Sequence, residues 1–119
     1  MTQKRIVIQE DDDEIRKTVA CYLSKHGFST VTTSNPNDCL SACKEKSPNL
    51  LLISRTFHFQ EGIDLVKQLR SDPVIPHFPI IVTGVEPPFD LHYYSAGVNT
   101  CIGVVFDLIL LLDEINKLL

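Results

Sequence analysis

The sequence contains no CxxC pair, no zinc-ligand spacing and no glycine-rich phosphate loop. Each absence removes a class of function. Its four cysteines, Cys21, Cys39, Cys43 and Cys101, are spread without a metal pattern. Cys39 and Cys43 lie four residues apart, so a helix would place them on one face as small core residues, in a reduced, cytoplasmic setting. His26, His58, His77 and His92 share no ligand spacing with one another and are expected to be solvated. Long apolar runs are missing too. The longest are about half of the ~20 residues that a membrane-spanning helix needs, and Asp107 interrupts them. The short run Ile6–Ile8 ends in five acids, Glu10 to Glu14, which a signal peptide would not carry. No basic stripe offsets the net charge of −4, so nucleic acid is not an expected partner of this domain. After the first strand candidate stand acids, which would repel a phosphate where a nucleotide- or flavin-binding enzyme needs glycines. Neither a membrane role nor an enzymatic one is expected.

What remains is an ordinary globular composition, 44% hydrophobic and 22% charged over 119 residues. Residues 1–119 read as one domain, which is open to being a piece of a longer protein. The stretch from Pro48 to Leu65 organises it. Leu50 to Ile53 are four consecutive aliphatic residues followed at once by Ser54. A run this short and uninterrupted predicts a strand buried on both faces, as at the centre of a parallel sheet. In such sheets chemistry sits beyond the carboxyl ends of the strands, which directs attention to Ser54.

The rest of the chain alternates around that strand. Arg5–Gln9 is a strand candidate. Ile15, Val19 and Leu23 recur at helical spacing, with Gly27 where a left-handed cap would fall. Phe28–Thr33 is a β-branched strand. Asn35-Pro36-Asn37-Asp38 predicts a helix start, and Ser47-Pro48 its end. From Ile63, the residues Leu65, Val66 and Leu69 predict a third helix ending at Ser71-Asp72-Pro73. Ile80–Val82 reads as a strand. Phe89, Tyr93 and Ala96 predict a short helix capped by Gly97, and Cys101–Val105 a fifth strand. Asp107 caps a last helix, from Leu108 to about Leu118. Five strand–helix alternations without repeats or a linker predict an α/β fold. It is a flavodoxin-like parallel sheet of order 2-1-3-4-5 with helices on both faces.

RIVIQEDDDEIR, KHGFSTVTT, SPNLLLIS through EGIDLVKQLR, IIVTG and SAGVNTCIGVVF together resemble the receiver domain of response regulators, the phosphoacceptor module of two-component signalling. The resemblance covers nearly all of the chain. It implies that Glu10 and Asp11 occupy the family's two metal-site acids and Thr83 its hydroxyl position. The departures fall on the chemistry. Ser54 stands where the family has its phosphorylated aspartate, and Val104, followed by Val105, stands where it has a lysine followed by a proline. His58 replaces a loop proline, and Cys101 the aromatic switch residue of the fifth strand.

A labile acyl phosphate needs a carboxylate nucleophile, and a lysine and magnesium to neutralise the transferred group. Ser54 is un-ionised at neutral pH, with no base beside it at a familiar spacing. Two readings of it stay open, an alternative phosphorylation site or a small polar residue tolerated there. No cofactor is expected to be required, and Glu10 and Asp11 could hold magnesium only weakly. Arg55 is the one cation next to Ser54, on the opposite side of a strand.

The last helix carries more apolar residues than one core-facing stripe uses. Ile109, Leu110 and Leu118 are the candidates for a second buried face. Receiver domains commonly dimerise through helix four, strand five and helix five, which adds Cys101 to that surface. The expected function is an atypical receiver that acts as a phosphorylation-independent interaction module. Its partner would be a histidine kinase, another regulator, a fused output domain or a second copy. The alternative is a phosphorelay receiver with an unconventional acceptor or magnesium-only ligand binding.

Overall fold

A computed structural model describes residues 3–54, 59–105 and 107–119. Five strands alternate with five helices: β1 (Arg5–Gln9), α1 (Asp13–Lys25), β2 (Ser29–Thr33), α2 (Pro36–Lys46) and β3 (Leu50–Ser54) form the first half. The second half is α3 (Phe59–Ser71), β4 (Ile80–Thr83), α4 (Asp90–Ala96), β5 (Thr100–Ile102) and α5 (Leu108–Leu118). All four strand pairings are parallel and the order is β2-β1-β3-β4-β5, as the alternation predicts.

Side-chain parity divides the core in two. Val7, Leu51, Ile53, Ile80 and Val82 face one side of the sheet, where they meet α2, α3 and α4. Ile6, Ile8, Leu50, Leu52, Ile81 and Ile102 face the other, against Val19 and Leu23 of α1 and Leu111 and Ile115 of α5. A strand covered on both faces has no polar side. That is why Leu50–Ile53 reads as an unbroken aliphatic run. Cys39 and Cys43 are buried in the first of these clusters. Their mutual hydrogen bond and then burial push the Cys39 thiol upward, so it behaves as core rather than as a nucleophile.

Local chemistry sets the helix ends. Asp12 Oδ1 accepts the Ile15 N–H at 2.9 Å, Asn35 Oδ1 that of Asp38 at 2.8 Å, and Asp107 Oδ1 that of Leu110 at 2.8 Å. Gly97 closes α4 at φ 116°, where Arg70 packs against its Cα. That guanidinium donates to the Gly97 carbonyl at 2.9 and 3.1 Å, to Phe78 O at 2.6 Å and to Asn99 Oδ1 at 3.0 Å. One half-buried side chain thus joins the end of α3 to the loops that precede β4 and β5.

The structure differs from the expected pattern in five places. Ile15 is 43% exposed, because α1 buries only Val19 and Leu23. Phe28 lies just before β2. Phe89 precedes α4 and is exposed, packing edge-on to Phe59 at 6.2 Å. β5 ends at Ile102, and Val104 and Val105 stand exposed beyond it. Finally, α3 starts at Phe59, four residues before the apolar period becomes visible, because its first turn is polar and contains Gly62.

Gly62 has a steric reason. Tyr93 is wholly buried, its hydroxyl donates to Phe59 O at 3.0 Å, and a Cβ on Gly62 would run into that hydroxyl. Helix propensity alone would make Gly62→Ala stabilising by about 1 kcal/mol. Overpacking should win instead, with a net loss of about 1–3 kcal/mol in urea unfolding. A variant as stable as the parent would show that Tyr93 can move aside.

Candidate functional site

The carboxyl ends of β1, β3 and β4 bring three distant residues together. Gln9 lies beside Ile53 and Ser54 beside Thr83 in the strand register, and Glu10 is the next residue after β1. Ser54 Oγ donates to Glu10 Oε1 at 2.5 Å, and Thr83 Oγ1 donates to Ser54 Oγ at 3.4 Å. Glu10 has no solvent exposure, and its second oxygen accepts the Asp12 N–H at 3.1 Å. Arg16 fastens the same corner, with its guanidinium on the Glu10 main-chain carbonyl at 2.8 Å and on Asp13 at 2.5 Å. The hydrogen bond and charge of Arg16 hold the Asp13 carboxyl below the usual carboxylate range.

Glu10 is therefore a hydrogen-bond acceptor beside Ser54 that linear spacing does not reveal, because the two residues are 44 apart in sequence. The serine proton points into this carboxylate. Thr83 feeds the chain from behind, so the three side chains form a relay of donors ending on a buried acceptor.

Magnesium is usually held by carboxylates with open oxygens and several waters. Here both Glu10 oxygens accept protein donors, and Asp11 is exposed. Among the described residues no three His, Cys, Asp or Glu side chains gather in a way that could hold a metal. The side chains present fit the ion poorly.

The position that the resemblance gives to a lysine is filled by Val104, 63% exposed and uncharged. Its N–H donates to Glu86 Oε1 at 2.5 Å, and that carboxylate packs against the Cα of Gly103. An acid thus borders the place where a cation was to be expected.

The four candidate interface residues separate into two pairs. Ile109 and Leu110 of α5 are 67% and 41% exposed. Leu118 is half-buried and packs with Leu108 and Leu112 on the α1/α5 side of the core. Cys101 is also half-buried, packs on the opposite cluster and donates its N–H to Tyr94 Oη at 2.9 Å. Burial, and then the Asp90 carboxylate, push its thiol up to about 11. Leu118 and Cys101 thus serve the core at least in part. Phe89, Leu91, Tyr94, Val104 and Val105 are further exposed apolar residues that the sequence reading did not select.

Of the histidines, His26 bonds through Nδ1 to Tyr22 O at 2.8 Å, His92 sets its ring edge-on to Phe59, and His77 is exposed. Arg55 and His58 lie outside the described residues.

Residues 6–116 match the model of the response regulator receiver domain. The chain belongs to that family. It is a receiver domain of two-component signalling, a class of module that interacts with proteins such as kinases and output domains. It is similar to the DNA-binding response regulator MtrA of Mycolicibacterium smegmatis, with 28% identity over 74 residues, 62% of this chain and 32% of that protein. The match thus spans about a third of that relative's length. The polar-differentiation response regulator DivK of Brucella anthropi is 27% identical over 78 residues, 66% of this chain and 63% of its own. In fold, the receiver matches the chemotaxis protein CheY4 of Vibrio cholerae at a TM-score of 0.89, with 18% identity over 99% of this chain and all of that one. Among the described residues no helix is long and apolar enough to cross a membrane.

Ser54 should matter here as a donor rather than as a nucleophile. Ser54→Ala removes a hydrogen bond from a buried carboxylate and should cost about 1–3 kcal/mol in thermal or urea unfolding. Ser54→Asp places a second carboxylate against Glu10. Millimolar magnesium should then raise the unfolding midpoint of the Asp variant and leave the parent unchanged. An equal response in both proteins would contradict the poor fit to the ion.

Proposed function

We propose that this receiver domain works as a protein-interaction module that does not depend on phosphorylation. The observation that carries this reading is the Ser54–Glu10 hydrogen bond, which occupies the phosphoacceptor position with a hydroxyl already committed to a buried carboxylate. A phosphoryl group on Ser54 Oγ would carry about −1.5 to −2 charges. It would replace the serine proton at Glu10 and set like charges in contact where solvent screening is weakest. Val104 supplies no charge to offset them, and both Glu10 oxygens are already taken by protein donors. No cofactor is required on this reading.

The signal then lies in binding. Ile109 and Leu110, with Val104 and Val105 before them, give the end of the chain an apolar surface that suits a protein partner. A kinase, another regulator or an output domain are the partners that fit a module of this family. The rival reading, a phosphorelay receiver with Ser54 as acceptor, draws on the same 2.5 Å contact, with Glu10 taking the serine proton. Among the described residues, Val104 leaves the family's lysine position without the cation that phosphoryl transfer calls for.

Incubation with acetyl phosphate and magnesium, followed by intact-mass measurement, separates the two. The expected spectrum is that of the unmodified chain. A stoichiometric gain of one phosphoryl group, lost in Ser54→Ala, would establish the rival.

A further inference from the structure

From Ser71 to Asn116 the sequence holds no lysine or arginine but six acids: Asp72, Glu86, Asp90, Asp107, Asp113 and Glu114. This run makes up β4, α4, β5 and nearly all of α5. Lys44 pairs with Asp72 at 3.3 Å and Lys117 with Glu114 at 3.1 Å, which leaves Glu86, Asp90, Asp107 and Asp113 without an ion pair among the described residues. The same run carries most of the large apolar side chains that the described residues expose, Phe89, Leu91, Tyr94, Val104, Val105, Ile109 and Leu110. Charge of one sign and exposed apolar area therefore coincide on one side of the molecule.

Within that side lies a cavity of about 560 Å³. Its walls include Phe59, Phe89, His92 and Val104, with Glu86 as the acid among them. Phe59 meets Phe89 and His92 edge-on, with centroids at 6.2 and 5.8 Å. Glu86 is exposed, yet one of its oxygens is fixed by the Val104 N–H, and among the described residues it has no ion pair. An anchored carboxylate beside aromatic rings suits a long cationic side chain, whose methylene stem packs on the rings while its head meets the acid.

We propose that this cavity receives a lysine or arginine side chain from a protein partner whose docking segment is basic and apolar. The inference rests on the reading of the domain as an interaction module and names the chemistry of its partner. A second copy of the chain is the poorer occupant. A symmetric contact through this side would set Glu86 and Asp90 against β4, α4 and β5 of the other copy, which carry no lysine or arginine to answer them. Nucleic acid is repelled for the same reason.

The test uses the whole chain, labelled with nitrogen-15, and two synthetic amphipathic peptides. One is built of leucine and lysine, and the other has glutamate at every lysine position. The lysine peptide should shift the amides of Glu86, Phe89, His92 and Val104 and bind at least about tenfold more tightly than the glutamate peptide. Glu86→Gln and Phe89→Ala should each weaken it about fivefold or more, with the rest of the amide spectrum unchanged as evidence of folding. Equal binding of the two peptides, shifts centred on Ile15 and α1, no binding, or indifference to both substitutions would each overturn the proposal. So would a dimer through this side. None of these results bears on whether acetyl phosphate modifies the chain, so this inference and the reading beneath it fail separately.

Discussion

A carboxylate with no solvent exposure must find hydrogen-bond donors, and Glu10 finds them at the end of three parallel strands. Ser54 takes one oxygen and the Asp12 N–H the other. Leaving a buried acceptor unmet costs about 1–3 kcal/mol, more when it is charged, a sizeable part of the stability of a small domain. The corner is therefore constrained as a unit. Asp12 bonds Glu10 through its N–H while its side chain caps α1, so the same residue satisfies the acid and starts the helix. Arg16, one turn into that helix, returns to the Glu10 carbonyl. Losing Ser54 would disturb the acid, and with it the junction of β1 and α1.

The helices α3 and α4 are held by different means. Tyr93 threads its ring under α3 at Gly62, and Arg70 gathers the carbonyls of Phe78 and Gly97. Both carry polar atoms on otherwise apolar or stem-like side chains, and both donate to main-chain oxygens, Tyr93 to Phe59 and Arg70 to Phe78 and Gly97. α4 is only seven residues long, too short to be stable alone. These two contacts and its glycine cap fix it, and so position the exposed ring of Phe89 just ahead of it.

Much of this could be read from the residues in order. The aliphatic run of β3, the Asn35-Pro36 helix start and the Asp107 cap are local signals, and each lies where expected. The parallel order follows from alternation. What could not be read was long-range. Nothing in the spacing of Glu10 and Ser54 reveals their contact, because only the pairing of β1 with β3 creates it. Gly62 looks like a break in a helix until Tyr93 is seen against it. Val104 and Val105 have strand propensity, yet the chain leaves the sheet at Gly103, where the Glu86 carboxylate packs and takes the next N–H. Propensity lost there to a tertiary contact. Apolar excess in α5 was legible, but its division was not: Leu118 closes the core, whereas Ile109 and Leu110 stay outside.

A ligand can shift a protein between two arrangements only by as much as it favours one of them. In a receiver driven by phosphate, that difference comes from new charge at the end of the third strand. Here the Thr83–Ser54–Glu10 chain is satisfied by two hydroxyls and the Asp12 N–H. Both Glu10 oxygens already have their donors, so this buried carboxylate does not call for an incoming group. If phosphate does not bias the domain, the bias has to come from a partner that distinguishes its surface. On the β4–α5 side that surface combines exposed aliphatic and aromatic area with acids that outnumber their ion-pair partners. Apolar burial supplies affinity with little regard for identity, whereas charge of a single sign rejects most acidic proteins and speeds encounter with basic ones. On the proposed reading the two halves of the molecule divide the work: the Glu10 corner keeps the fold closed, and the acidic, apolar side selects what it meets.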